Sequence, residues 1–171
     1  MTGYIAQYDK KADVAIANRN NSNNIYYDAV IEGDGWGIGG VATNLENFIG
    51  SKEVAKMGIT TGRRTGTIKA VNQTTSVSNS CVTLKGDGVE YDLRQAEGDS
   101  GSPVYWNSTY TCNGTKFTNL LGIATLGGSP YSSNYNCGGN SYEQFHHTLG
   151  YSAEAMANNQ NYDIGYFNGC W

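Results

Sequence analysis

Gly98-Asp99-Ser100-Gly101-Ser102-Pro103 is the stretch on which the reading of this chain turns. A serine between glycines, with an acid before it and a proline soon after, describes a hydroxyl held on a tight turn. Each position has a physical role. Gly98 lets a backbone N–H face inward, Ser100 carries the hydroxyl, and Gly101 keeps the surface beside it clear.

Composition bounds what such a turn can belong to. The chain has 171 residues, 11 basic against 15 acidic, and a net charge of -4. That balance offers no concentrated basic surface for nucleic acid. No run of apolar residues is long enough for a membrane helix, and the first residues read as no secretory leader. Asn, Gly, Ser, Thr and Tyr dominate the polar fraction, which favours short strands with turn-rich connections over helix bundles. Four cysteines (Cys81, Cys112, Cys137 and Cys170) stand at wide, unequal spacings with no Cys-x-x-Cys pair, so neither a metal nor any cofactor is expected. An even number reads as two disulfides in an exported protein, with four core thiols as the alternative. Sequons at Asn72, Asn107 and Asn113 fit surface loops of such a protein.

Strand signals fill the chain. Asp13-Val14-Ala15-Ile16-Ala17 reads as a buried strand and Asn18 to Asn24 as a loop. Gly33 to Gly40 lacks the dinucleotide-binding order and is expected to be a flexible surface connection. Lys56 to Ile59, a turn at Thr60-Thr61-Gly62, and Gly66 to Val71 form a strand pair. Val77 to Leu84 and Val89 to Leu93 bracket Lys85-Gly86-Asp87-Gly88, a hairpin-turn signal. Pro103 to Trp106 leaves the serine turn as a strand, and Leu120 to Leu126, the most apolar run, reads as central. Many short strands at close spacing point to a closed antiparallel barrel. Helical spacing is confined to Ser141 to Ala157, through Phe145, Leu149 and Met156.

Together the serine hexamer, Lys56-Met57-Gly58-Ile59-Thr60-Thr61-Gly62 with Gly66-Thr67-Ile68, and Gly122-Ile123-Ala124-Thr125-Leu126-Gly127-Gly128 resemble the chymotrypsin-like (trypsin-like) serine proteases, in their bacterial alpha-lytic/streptogrisin-type branch. The resemblance runs from Asp13 to Met156 and is densest from Lys56 to Gly128. It implies an all-β fold of two six-stranded antiparallel barrels: residues 1–50 a remnant of the first, residues 51–171 a complete second barrel with a C-terminal helix. It further implies Ser100 as nucleophile, Asp13 as the acid supporting a histidine, and the Gly98 and Ser100 N–H groups as the oxyanion hole. Arg94, six residues before the serine, falls at the pocket floor, where a buried arginine would favour an acidic side chain or else turn to solvent. Thr125, Gly127 and Gly128 would line the rest of the cleft. Asp99 is expected to be a buried structural acid rather than a base, and the resemblance puts a basic side chain at the position of Lys56, its candidate cationic partner or else an exposed lysine. Ala96 departs from the family's common cysteine. Of the three possible disulfide pairings, the expected one joins Cys112 with Cys137 across the Leu120 strand and leaves Cys81 with Cys170.

The departure that matters most is the histidine. None precedes Ser100, and His146 and His147 both lie on the candidate terminal helix. A serine hydroxyl without a base is a poor nucleophile at neutral pH. Two functions follow: a serine endopeptidase in a truncated or histidine-lacking form, or an inactive protease-like module that binds extended peptides. Either way the partner is a peptide or protein, and the missing barrel segment is a candidate second one. A secreted monomer is expected, its first 50 residues loosely held unless covered, because each exposed aliphatic residue forfeits on the order of 1.5–3 kcal/mol.

Overall fold

A computed structural model describes residues 3–9, 14–19, 30–31, 34–76 and 83–160, with side chains for 34–74 and 86–158. Asp13, Cys81 and Cys170 therefore lie outside the described residues. In chain order the strands are β1 (Gly3–Asp9), β2 (Val14–Arg19), β3 (Val30–Ile31), β4 (Trp36–Val41), β5 (Glu53–Gly58), β6 (Gly62–Ser76) and β7 (Thr83–Tyr91). They continue as β8 (Gln95–Ala96), β9 (Pro103–Trp106), β10 (Tyr110–Cys112), β11 (Thr115–Pro130), β12 (Tyr135–Cys137), β13 (Asn140–Tyr142) and β14 (Gln144–Ser152). One helix, α1 (Ala153–Gln160), follows.

Six of these strands close on themselves. Going round, β9 pairs with β5, β5 with β6, β6 with β7, β7 with β14, β14 with β11, and β11 with β9, every pair antiparallel. Closure leaves no sheet edge among the six, the benefit that a barrel offers short strands. The alternation of each strand sorts its side chains. Val54, Ile68, Val89, Tyr91, Val104, Trp106, Leu121 and Ala124 belong to one buried cluster, the barrel interior. Their neighbours Ala55, Tyr105 and Leu120 join Ile38 and Ala153 in a second cluster outside it, roofed by β4 and α1. Covered on both faces, β9 and β11 read as nearly continuous apolar runs.

Four expectations are corrected by the structure. Gly33 to Gly40 is not a free surface connection: β4 occupies most of it, with Gly37 to Gly40 buried, and runs parallel to β11. Its glycines serve close packing, since a Cβ at Gly37 would stand 2.6 Å from two ring carbons of Phe117. Asp34, just before β4, is fixed by Arg63 Nε at 3.0 Å and by the Tyr105 hydroxyl at 2.8 Å. Lys85 to Gly88 is not a hairpin turn. It lies within β7, where Gln73 pairs with Gly88 but Thr75 with Leu84, so the extra residues bulge and Gly86 supplies φ +74°.

Ser141 to Ala157 is mostly strand, with the helix starting only at Ala153. Phe145 and Leu149 are four apart, an interval that suits one face of a helix and one face of a strand equally. Lateral pairing with β7, β8 and β11 decides for the strand. The fourth correction concerns the disulfides. Cys112 is disulfide-bonded, whereas Cys137 is a free, exposed thiol, so the two are not joined. The two flank opposite ends of the 16-residue β11, which spans roughly 50 Å when extended, whereas a bridge needs Cα atoms within about 7 Å.

Two outcomes test this description. Gly37→Ala should destabilise the fold by about 1–3 kcal/mol in urea titrations, because the Phe117 ring is packed in the core. Gly39→Ala should cost clearly less, since its Cβ meets chiefly the hydroxyl end of half-exposed Tyr110, which can swing away. Iodoacetamide should modify Cys137 in the native protein, and Cys112 only after reduction and unfolding.

Candidate functional site

The serine turn leaves β8 and returns as β9, and both of its flanking glycines use backbone space closed to side chains. Gly98 has φ +92° and Gly101 φ +91°. Beyond its dihedral, Gly98 has no room for a Cβ, which would stand 2.6 Å from Thr60 Oγ1. That hydroxyl donates instead to the Glu97 carbonyl at 2.7 Å, tying the turn to the β5–β6 corner.

Asp99 is the fixed point of the turn. Its carboxylate accepts from Lys56 Nζ at 2.7 Å, Thr61 Oγ1 at 2.6 Å, the Thr60 and Thr61 N–H groups at 2.9 and 3.1 Å, and the Ala96 N–H at 3.1 Å. Both Asp99 and Lys56 are 0 % exposed. The lysine gets there by strand alternation: Val54 and Lys56 share the inward face of β5. Burial pushes the Asp99 carboxyl up, but hydrogen bonds from Lys56 and Thr61 and the lysine charge outweigh it and hold it below its ordinary value. Burial also lowers Lys56, against the opposing pull of Asp99. Gly58 permits this approach, since a Cβ there would stand 2.3 Å from Asp99 Oδ1.

Held by that clamp, Ser100 points outward. It is exposed, and its Oγ donates to the Thr125 carbonyl at 2.9 Å. The turn is stitched to β11 again where Gly101 N–H donates to the Ala124 carbonyl and Ala124 N–H to that of Ser102. The N–H groups of Gly98 and Ser100 donate to no backbone carbonyl among the described residues. Thr125, Gly127 and Gly128 follow Ala124 along β11, with Thr125 buried and the ring of Phe145 pressed against Gly127.

Other anticipated residues sit elsewhere. Arg94 is half-buried, its guanidinium donating to Gln144 Oε1 and lying 5.1 Å from the Tyr131 ring and 5.3 Å from that of Tyr135. His146 stacks on Tyr131. His147 lies among charged groups, with Nε2 3.1 Å from Lys69 Nζ and Nδ1 3.6 Å from Asp92. Both histidines are on β14 rather than a helix, and neither bonds to Ser100. Sequence reasoning read Thr60 and Thr61 as a turn within the Lys56 to Gly62 motif and Phe145 as part of a helix face, with no site role for any of them, and passed over Gln95 and Gln144, which carried no motif signal.

No protein-family model and no curated protein matches the chain. Solved structures do. Thermobifida fusca protease A is similar at a TM-score of 0.61 and 18% identity, over 93% of this chain and 72% of that one. Nocardiopsis protease gives 0.60 at 21%, over 93% and 71%. Cellulomonas bogoriensis chymotrypsin gives 0.59 at 17%, over 93% and 73%. The chain has the trypsin-like β-barrel fold.

The clamp makes a signed prediction. Lys56→Met strands a buried carboxylate and should cost about 3–5 kcal/mol in chemical denaturation, part of it recovered in Lys56→Met/Asp99→Asn. Because the folded carboxyl titrates below its unfolded value of about 3.9, its contribution is complete above that value. It is lost as pH falls through the folded pKa. Asp99→Asn should flatten that acid limb of stability.

Proposed function

We propose that this chain carries the nucleophile-bearing barrel of a serine endopeptidase in a form whose sequence lacks the catalytic histidine. The observation that supports this most directly is the serine turn: an outward hydroxyl, two flanking glycines at positive φ, and a buried acid that fixes them. In this reading Ser100 Oγ attacks a peptide carbonyl carbon while its proton passes to a general base. The N–H groups of Gly98 and Ser100 hold the oxyanion. Collapse breaks the C–N bond, the amine leaves with the proton, and water then releases the acyl group.

Asp13 is proposed as the acid that orients the base, and the base itself as supplied by a further polypeptide segment. Residues 1–50 are proposed as a remnant of a first barrel, and 51–171 as the second. Thr125 to Gly128 offer the strand along which an extended peptide would lie. The likeness to proteases from three bacteria supports a peptide or protein as partner, and with the even cysteine count it supports an extracellular setting.

One observation favours the alternative, an inactive peptide-binding module. Ser100 Oγ is bonded to a carbonyl and not to an imidazole, the resting state of an unactivated alcohol. Labelling separates the two. The 171-residue chain should react with a fluorophosphonate slowly or not at all. Adding a histidine-bearing first-barrel segment, fused or in trans, should raise the rate by about 10²–10⁴-fold, with peptide hydrolysis appearing alongside, and Ser100→Ala should abolish both. Failure to label after such complementation would leave the binding module as the function.

A further inference from the structure

Five residues before the serine, Gln95 is 2% exposed, and its Oε1 has no hydrogen-bond partner among the described residues. A buried acceptor without a donor is costly, and such groups in folded chains call for an explanation. Its position gives one. On β8, Gln95 is directly opposed to Phe145 of β14, and side chains of an opposed antiparallel pair rise on the same face. Phe145 in turn presses on Gly127, where a Cβ would stand 2.1 Å from its Cγ. Gly127 is two residues past Thr125, whose carbonyl holds the Ser100 hydroxyl. The acceptor, the ring and the glycine therefore share one face beside the nucleophile turn.

Arg94 belongs to the other face. Its guanidinium is engaged by Gln144, which pairs with Ala96 and whose side chain alternates with that of Phe145 along β14. The charge that would select an acidic side chain is thus absent from the Gln95 face.

Resting on the cleft reading above, we propose that the subsite beside Ser100 selects a short side chain bearing a hydrogen-bond donor, such as serine. Gln95 Oε1 accepts from that donor, and Phe145 excludes longer side chains. A site built to hydrogen-bond a hydroxyl rejects the analogue lacking it, because its buried acceptor is left unpaired.

The test is a binding titration, followed by NMR, of the 171-residue chain with N-acetylated tripeptides differing in the last residue: serine, α-aminobutyrate (a methyl in place of the hydroxyl) and phenylalanine. Serine should bind about tenfold tighter than aminobutyrate, and phenylalanine about tenfold weaker than aminobutyrate or worse. Gln95→Leu should abolish the serine preference while leaving aminobutyrate binding in place. Phe145→Ala, or Phe145→Leu if the alanine variant does not fold, should admit the phenylalanine peptide. Equal binding of all three by the wild-type chain, or a serine preference surviving in Gln95→Leu, overturns the subsite while the cleft stands. No binding of any peptide by wild type or by Phe145→Ala overturns the cleft reading and the subsite with it.

Discussion

The carboxylate of Asp99 is the point on which the site hangs. It gathers donors from β5, from the Thr60–Thr61 corner that follows it and from the end of β8, so two segments, 43 residues apart at Lys56 and Asp99, converge on one side chain. Removing two charges from water is expensive, and a buried ion pair is by itself weak evidence of stability. Here every oxygen of the carboxylate is also satisfied by neutral donors, the condition under which such a pair is tolerable. What the arrangement secures is position. With Asp99 fixed, the glycines on either side have one course left, and Ser100 must face outward.

β11 does the corresponding work for the fold. It pairs with β9 and β14 inside the barrel and with β4 and β10 outside it, so one strand carries both the core and its covering layer. It then runs on past the serine as the candidate peptide-binding strand. The positions that let neighbours approach it are glycines for steric reasons. Gly37 lies under Phe117, Gly127 under Phe145, and Gly122 against the Tyr151 carbonyl. Packing at that closeness links the aromatic residues around β11 to the shape of the cleft.

No imidazole stands beside the serine turn of this chain. Its two imidazoles are spent elsewhere: His146 on an aromatic stack and His147 among Lys69 and Asp92. Both stand on β14, whose pairing with β11 and β7 fixes their directions. A repurposed histidine would need that pairing to break.

Much was legible in the sequence because the physics was local. The serine turn, the Thr60–Thr61 corner, the alternation of β5 and β9 and the apolar run of β11 follow from conformational freedom and period-two patterning over a few residues. The Asp99–Lys56 pairing was legible only through the resemblance, which puts a basic side chain at the position of Lys56. Other features depended on what lay alongside. The glycines of β4 read as a loop until Phe117 filled the space above them, and those of Lys85 to Gly88 read as a turn until β6 supplied a partner on which to bulge. The interval from Phe145 to Leu149 fits helix and strand alike, so only the neighbouring strands decide it. Cysteine pairing fails the same way, because residues bracketing a strand in sequence are held apart by that strand in space. The sequence alone determined which residues turn and which alternate; the tertiary structure decided what stands opposite each of them, and burial and partnership are properties of that opposing surface.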